Sequence, residues 1–434
     1  MKPWRARRRS SRSAIRTGPG SRTTSKSALA QRQPHDPQAH VSKAGEVNIE
    51  PALKALAAAL HGEGPAVELS AGPSGETVVR LVQTPGIDDA AVVVRTSGST
   101  GSPKATVLTV EALAASSMAT AFALKGEGQW LLALPVQYVA GVQVLVRSLF
   151  AGTRPWAMDL SNGFTTDGFT AAALELTDKV RFTSLVPAQL QRLLEEPSAD
   201  TLAVLRRFNG ILLGGGPAPA GLLESARDAG IRVITTYGAA ETCGGCVYDG
   251  FPLEGVAVRL SEDGRIHLGG ATLAACYLDA PGLTEEAFAE EDGVRWYRTN
   301  DLGVLDSDGR LTVLGRADDV IITGGVKVSA AHVQAELEKS DGVTAAFVAG
   351  VQSAKWGQAV AAYVAVAGAS SSGASSGDSS SGADGAAWAE QWRRTLGLIA
   401  PKTVLPADEL IMLPNGKPDR LAMIERLNAL HQGK

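Results

Sequence analysis

The chain is poor in cysteine, with Cys243, Cys246 and Cys276 the three in 434 residues. So small and odd a number argues against a disulfide framework and fits a reducing compartment. Cys243-x-x-Cys246 has the spacing of half a zinc site or a redox pair, but no second Cys or His pair follows at useful spacing, so both read as small buried packing residues. Long apolar runs are also missing. The most apolar stretch, 130–146, contains Pro135, Gln137 and Gly141 and is closed by Arg147, which suits a buried strand, turn and helix better than a membrane span. Residues 1–40 lack the apolar core of a secretory signal. Positive charge is confined: residues 1–44 hold 11 Lys/Arg against the one acid Asp36, a net +10, so the other 390 residues carry −14 of a total of −4. An acidic body of this kind shows no footprint for nucleic acid. The segment 1–44 is expected to be a disordered basic extension.

What is present begins with length enough for two or more domains, and 44% hydrophobic with 20% charged residues is ordinary for a soluble globular protein. The apolar run Ala91-Val92-Val93-Val94 reads as a buried strand and leads into Thr96-Ser97-Gly98-Ser99-Thr100-Gly101-Ser102-Pro103-Lys104. Glycines let backbone amides converge, while hydroxyls and Lys104 add donors and charge, the equipment of a phosphate grip. A Ser/Gly-rich surface loop would have the same composition, and the Walker pattern is absent because Pro103 precedes Lys104.

Helices are expected over 49–60, 111–123, 141–149, 188–195 and 221–229, and strands over 77–82, 91–94, 130–134, 180–185, 208–213 and 232–235. The first helix has Asn48 as a candidate cap and Pro51 in its first turn. Such alternation implies layered α/β structure with mostly parallel sheets, whose ligands sit beyond strand ends. The loops at Thr96, at Gly214-Gly215-Gly216 and at Tyr237 each follow an expected strand and so can share a pocket. After Asp249 the texture changes to short strands over 256–260, 265–268, 295–298 and 311–314, with Asp-Gly turns at 263–264, 292–293 and 308–309, which favours a β-rich subdomain. Strands over 320–323, 345–349 and 359–366 and a helix over 330–338 form a small α+β tail. Residues 368–385 are almost wholly Ser, Gly, Ala and Asp and read as a flexible insertion before a helix from about residue 386.

At Tyr237-Gly238-Ala239-Ala240-Glu241 the ring could pack on a flat base and Glu241 could hold Mg²⁺ beside phosphates, or this could be a turn with a solvated Glu. Asp301 could accept ribose hydroxyls and Arg316 offers a fixed fork to ribose or phosphate oxygens, although either could be half of a structural ion pair.

Together these segments resemble the adenylate-forming family of acyl-CoA synthetases, luciferase-like enzymes and peptide-synthetase adenylation domains. The resemblance rests on Thr96–Lys104, Tyr237–Glu241 with Ala240 where Thr is usual, Asp301-Leu302-Gly303, Gly315-Arg316-Ala317-Asp318-Asp319, and Pro414-Asn415-Gly416-Lys417-Pro418-Asp419-Arg420. It spans roughly 45–430. Leu134-Pro135-Val136-Gln137-Tyr138-Val139-Ala140-Gly141 with Arg147, 183–190, 214–219 and 241–250 are most similar to the o-succinylbenzoate–CoA ligase branch of menaquinone synthesis. Another aryl- or acyl-CoA ligase and a stand-alone carrier-loading enzyme remain alternatives.

The resemblance implies a large layered domain over 45–317 and a small mobile domain over 318–434, hinged at Asp318. It implies ATP, Mg²⁺ and CoA as cofactors or co-substrates, an aromatic carboxylate substrate, a cytoplasmic setting and no membrane span, and leaves a homodimer open. By the same resemblance Thr96, Ser97, Gly98, Ser99, Thr100, Gly101 and Lys104 hold phosphates, and Glu241 holds Mg²⁺. Asp301 and Arg316 take the ribose, while Gly214, Gly215 and Gly216 with Tyr237 and Gly238 frame adenine and the acyl ring. Tyr138 and Arg147 face the acid, although Arg147 could instead snorkel or pair structurally, and Lys417 meets the reacting oxygen. Tyr138 stands where His is common, Cys276-Tyr277 replaces Gly-Tyr, Gly324-Gly325-Val326-Lys327-Val328 replaces Gly-Gly-Glu-Asn-Ile, and His332 replaces Glu.

Overall fold

The computed structural model describes residues 47–72, 76–97, 103–218, 221–366, 382–413 and 418–432. The basic segment 1–44, Gly98 to Gly101 of the phosphate grip, most of the Ser/Gly insertion and Lys417 lie outside these residues. The architecture is α/β in two parts, a large layered N-terminal domain and a smaller C-terminal one.

Among the described residues the strands form four sheets. The seven-stranded sheet runs Phe251–Pro252, Gly244–Tyr248, Val233–Ala239, Gly210–Leu213, Arg181–Leu185, Gln129–Leu132, Trp156–Ala157. Its five strands from Val233–Ala239 onward are parallel, as the alternation of strands and helices predicts, and the other two are antiparallel. The three central strands 129–132, 181–185 and 210–213 are buried along their whole length, because helices cover both faces. The apolar stretch at 130–146 resolves into the strand Gln129–Leu132 and the helix Val139–Ala151.

A second sheet corrects the expectation of mostly parallel pairing. Its order is Cys276–Tyr277, Pro103–Thr109, Ala90–Ser97, Ala66–Ala71, Thr77–Val82, with one parallel contact, between Ala66–Ala71 and Ala90–Ser97. The grip therefore lies between two antiparallel strands, not between a strand and a helix. Pro103 opens the second strand, a position where its missing N–H is tolerated. The following helix, Val110–Leu124, is capped by Thr109, whose hydroxyl accepts the Ala112 N–H at 3.1 Å. The helix Glu50–Leu60 begins one residue later than expected, with Asn48 Oδ1 accepting the Glu50 N–H at 3.0 Å.

The third sheet is antiparallel, ordered Val256–Leu260, Arg265–Gly270, Val294–Leu305, Phe288–Glu291, with Leu311–Arg316 also on Val294–Leu305. Gly264, Gly293 and Gly309 of the three Asp-Gly turns have φ of 81°, 75° and 79°, the region such turns need. The small domain's sheet runs Val326–Ser329, Val320–Thr323, Gly357–Val366, Val343–Ser353, with Thr403–Ala407 parallel to Gly357–Val366. Its helices are Ala330–Leu337, Gly382–Leu396 and Arg420–Gln432, the second starting four residues before its expected position. Trp392 anchors the middle helix, donating its indole N–H to Ser340 Oγ at 2.8 Å. No helix among the described residues is long and apolar enough to cross a membrane.

Candidate active site

Asp301 and Arg316 stand opposite each other across the antiparallel pair Val294–Leu305 and Leu311–Arg316. The guanidinium Nη1 lies 3.8 Å from Asp301 Oδ1, but its closer partner is Asp318, gripped by Nε and Nη2 at 2.8 Å each. Burial alone would push the Asp318 carboxyl up; the bidentate Arg316 outweighs it and holds the carboxyl below the ordinary Asp range. The same hydrogen bonds raise Arg316. Asp301 Oδ2 accepts the Tyr237 hydroxyl at 2.7 Å, and burial, then the Asp301 charge, push that phenol up. Tyr237 and Gly238 thus lie inside the strand Val233–Ala239 and not in a loop after it, and Thr96 likewise lies inside Ala90–Ser97.

Glu241 is 7% exposed and sits in the short 3-10 turn Ala240–Thr242 that ends this strand. Thr242 holds the turn: its hydroxyl accepts the Ala239 N–H at 2.9 Å and donates to the Gly244 carbonyl at 2.7 Å. The Glu241 carboxylate is met by the Tyr277 hydroxyl, 2.6 Å from Oε1. Over the other part of that tyrosine, the Lys104 ammonium lies 4.9 Å from the ring centroid. Lys104 pairs with Thr96 and Pro103 with Ser97 across the grip, so the ends of the phosphate segment meet the Glu241 turn at Tyr277.

Gly214-Gly215-Gly216 follows the strand Gly210–Leu213 beside Thr235 and Thr236. A Cβ on Gly214 would lie 2.4 Å from Thr236 Oγ1, and Gly215 has φ of 87°. These glycines therefore let the loop press against the strand that carries Tyr237. Gly238 is required for packing: its Cβ would stand 2.1 Å from the Gly244 carbonyl. A cavity of about 140 Å³ opens beside Tyr237, lined by Thr235, Thr236, Val247, Gly250, Leu311 and Val313.

Tyr138 precedes the helix Val139–Ala151, and burial raises its phenol. Two turns on, Arg147 is 7% exposed, with its guanidinium 5.2 Å from the Trp130 ring centroid and no carboxylate partner among the described residues. Its Nε has no hydrogen-bond acceptor among the described residues. Gln143 on the same helix donates to the Cys243 carbonyl at 2.6 Å, which fastens this helix to the turn carrying Glu241. Cys243 and Cys246 are buried and free, and burial pushes the Cys246 thiol up to about 12.

The chain on either side of Lys417 reaches the junction of the domains. Asp419 N–H donates to the Ile411 carbonyl at 2.7 Å, Met412 bridges Pro418, and Arg420 pairs with Asp319. Gly315 belongs to this junction as well, with φ of 132° and a Cβ position 2.9 Å from that of Ala331. Tyr277, Tyr297, whose hydroxyl meets that of Tyr277, and Gln143 are site residues that sequence reasoning missed. Tyr277 was visible only as the second half of an altered Gly-Tyr pair, and nothing in its neighbourhood pointed to a carboxylate 36 positions away.

Residues 17–277 match the model of the AMP-binding enzyme family, starting within the basic N-terminal segment. A probable 2-succinylbenzoate–CoA ligase of Mycobacterium tuberculosis strain H37Rv is 46% identical over 281 residues, 64% of this chain and 72% of the relative. A 2-succinylbenzoate–CoA ligase of Geobacillus sp. strain WCH70 is 33% identical over 320 residues, 68% of this chain and 62% of the relative. Among solved structures, o-succinylbenzoate CoA synthetase from Bacillus subtilis in complex with the acyl-adenylate intermediate OSB-AMP has a TM-score of 0.63 at 27% identity, covering 80% of this chain and 70% of that one. The family match over 17–277 takes in the strands Ala90–Ser97 and Pro103–Thr109, the helix Val139–Ala151 and the glutamate turn, and the chain belongs to the AMP-binding enzyme family.

Proposed function

We propose that the protein is an AMP-forming ligase that joins 2-succinylbenzoate to CoA through an acyl-adenylate, with release of pyrophosphate. The observation that carries this is the 46% identity to the mycobacterial ligase. Two clusters support it, Lys104 with Glu241 around Tyr277 and Tyr237 with Asp301 and Arg316, connected by the strand Val233–Ala239 and the turn that ends it. A carboxylate resists attack because its oxygen leaves poorly and its charge repels nucleophiles. Transfer of the carboxylate oxygen to the α-phosphate of ATP turns that leaving group into AMP, and the CoA thiol then attacks the acyl carbon. No covalent nucleophile on the protein is needed, only positioning and charge compensation.

In this reading Thr96, Ser97, the glycines and hydroxyls of 98–101 and Lys104 bind the β- and γ-phosphates. Asp301 and Arg316 take the ribose; Arg316 Nη1, which its pair with Asp318 leaves unused, faces Asp301. Gly214 to Gly216 and Tyr237 frame adenine and the acyl ring. Lys417 carries the point charge for the oxygen bridging acyl group and α-phosphate. Tyr138 and Arg147 read the acid, and the buried guanidinium, whose Nε has no acceptor among the described residues, supports a carboxylate contact. Asp318 is the hinge between a domain over 45–317 and one over 318–434.

Glu241 fits a Mg²⁺ ligand. It is a buried carboxylate with Oε1 engaged and no described residue donating to Oε2, and Mg²⁺ is commonly held by one or two carboxylates plus substrate phosphates. Bound with ATP, the ion would offset negative charge on the triphosphate. A ligase using ATP and CoA belongs in the cytoplasm, and a homodimer is compatible with it.

The test is turnover of a carboxylate panel by the purified full chain with ATP, Mg²⁺ and CoA. AMP, pyrophosphate and thioester should form in equal amounts with 2-succinylbenzoate, at a kcat/KM well above that for benzoate, 4-substituted benzoates and medium-chain acids. Preference for another acid would redirect the substrate assignment, and thioester formation on a carrier protein but not on CoA would replace the ligase reading.

A further inference from the structure

We propose that Tyr277 is a positioning residue for Glu241, holding one carboxylate oxygen so that the other is presented to the metal-bound triphosphate. This rests on the reading of Glu241 given above and names the group that orients it.

The segment 274–277 is tied to Glu241 at both ends. Ala274 N–H donates to the Glu241 carbonyl at 2.8 Å, and the Tyr277 hydroxyl lies 2.6 Å from Oε1. The donor is itself fixed on three sides. Tyr277 N–H donates to Thr284 Oγ1 at 3.0 Å, its backbone pairs with Thr106 of the strand Pro103–Thr109, and its ring packs on Phe288 with centroids 5.8 Å apart. Arg295 holds the same segment from behind, donating to the carbonyls of Ala274 and Ala275. A short hydrogen bond from so constrained a phenol leaves the carboxylate little freedom to rotate. With Oε1 occupied, Glu241 is a one-oxygen ligand.

The ring has a second use. Lys104, at the end of the phosphate grip, places its ammonium 4.9 Å from the ring centroid, and Thr106, two residues on, is the strand partner of Tyr277. One side chain thus sets the spacing between a cation for the phosphates and the carboxylate for their metal ion. Tyr297 extends this network, its hydroxyl meeting that of Tyr277 and its ring lying 5.4 Å from Phe288. Phe288, which packs on the Tyr277 ring and has no polar group, serves as the control.

The experiment measures binding of α,β-methylene-ATP to the full-length protein by calorimetry, with Mg²⁺ titrated from zero (EDTA) to saturation. Tyr277→Phe keeps the ring, its packing and the seat for Lys104, and removes only the donor. Its affinity in EDTA should equal wild type, while the strengthening by Mg²⁺ should fall about tenfold, the scale for losing a hydrogen bond to a charged group. Phe288→Leu, which loosens the same packing without touching a hydroxyl, should stay within about twofold of wild type in both conditions, and Glu241→Gln should lose the Mg²⁺ effect. Wild-type Mg²⁺ dependence in a Tyr277→Phe protein of unchanged melting temperature overturns the inference, and if Glu241→Gln has lost the effect the metal assignment survives. Equal losses in Tyr277→Phe and Phe288→Leu would mean general loosening of the cluster and also overturn it. Wild-type behaviour of Glu241→Gln removes both readings together.

Discussion

Buried charge without a counter-charge is the most informative feature at the residue scale. A guanidinium taken out of water costs several kcal/mol, of order the loss for an ion without a partner, unless something compensates it. Among the described residues Arg147 has only the Trp130 face, and its Nε is unsatisfied. A stacked aromatic recovers roughly 0.5–2 kcal/mol, which does not close that gap. A substrate carboxylate would. Arg147→Leu should therefore raise KM for 2-succinylbenzoate at least about tenfold, a loss near 1.4 kcal/mol, and leave KM for ATP within about twofold. Steady-state kinetics with each substrate varied in turn decides it; an unchanged acid KM would mean the arginine is structural. The residue type and its place in an apolar run were legible in the sequence. Its lack of a partner was not, because pairing is decided by strands and turns far along the chain.

Elements explain which parts of the site could be read. The helix Val139–Ala151 and the buried central strands announce themselves by apolar runs punctuated by Gly and Pro, and the Asp-Gly turns by residues that tolerate positive φ. The strand Pro103–Thr109 did not, because a leading proline and a lysine read as loop although Val107 and Leu108 are fully buried. That omission turned a hairpin into a strand, loop and helix, and it hid Tyr277, which pairs with this strand. The role of Gly238 was hidden for a similar reason. In sequence it is a motif glycine near a nucleotide; in the fold it is where two antiparallel strands come too close for a side chain, 2.1 Å from a Cβ to the Gly244 carbonyl. Backbone cannot move aside as a flexible side chain can. Gly238→Ala should destabilise the protein by about 1–3 kcal/mol, the scale of overpacking, seen as a lower thermal midpoint with ATP absent. A midpoint equal to wild type, with only ATP affinity reduced, would assign Gly238 to the nucleotide instead.

Across the whole molecule, two arginines frame the short polar junction between the domains. Arg316, at the end of the large domain's last strand, clasps Asp318, while Arg420, three residues past Lys417, holds Asp319. Two consecutive carboxylates are therefore tied in opposite directions, Asp318 backward to the strand Leu311–Arg316 and Asp319 forward to the segment after Lys417. A turn of the backbone at 318 would carry Asp319, Arg420 and the lysine segment as a unit, and would have to strain or release the Arg316 clasp. Two half-reactions at one adenylate need this kind of exchange, with the lysine present for the first and a path for CoA in the second. Opposite defects should follow from two substitutions. Lys417→Ala should slow adenylation, read by pyrophosphate exchange, by about 10²–10³, and affect thioester formation from supplied acyl-adenylate far less. Asp318→Pro, which fixes φ, should spare adenylation and slow thioester formation. Asp318→Ala serves as comparison, because it removes the clasp but keeps backbone freedom; if it reproduces the proline defect, loss of the carboxylate and not of rotation is the cause. Equal loss of both half-reactions in Lys417→Ala and Asp318→Pro would leave a rigid enzyme in which one arrangement serves both steps.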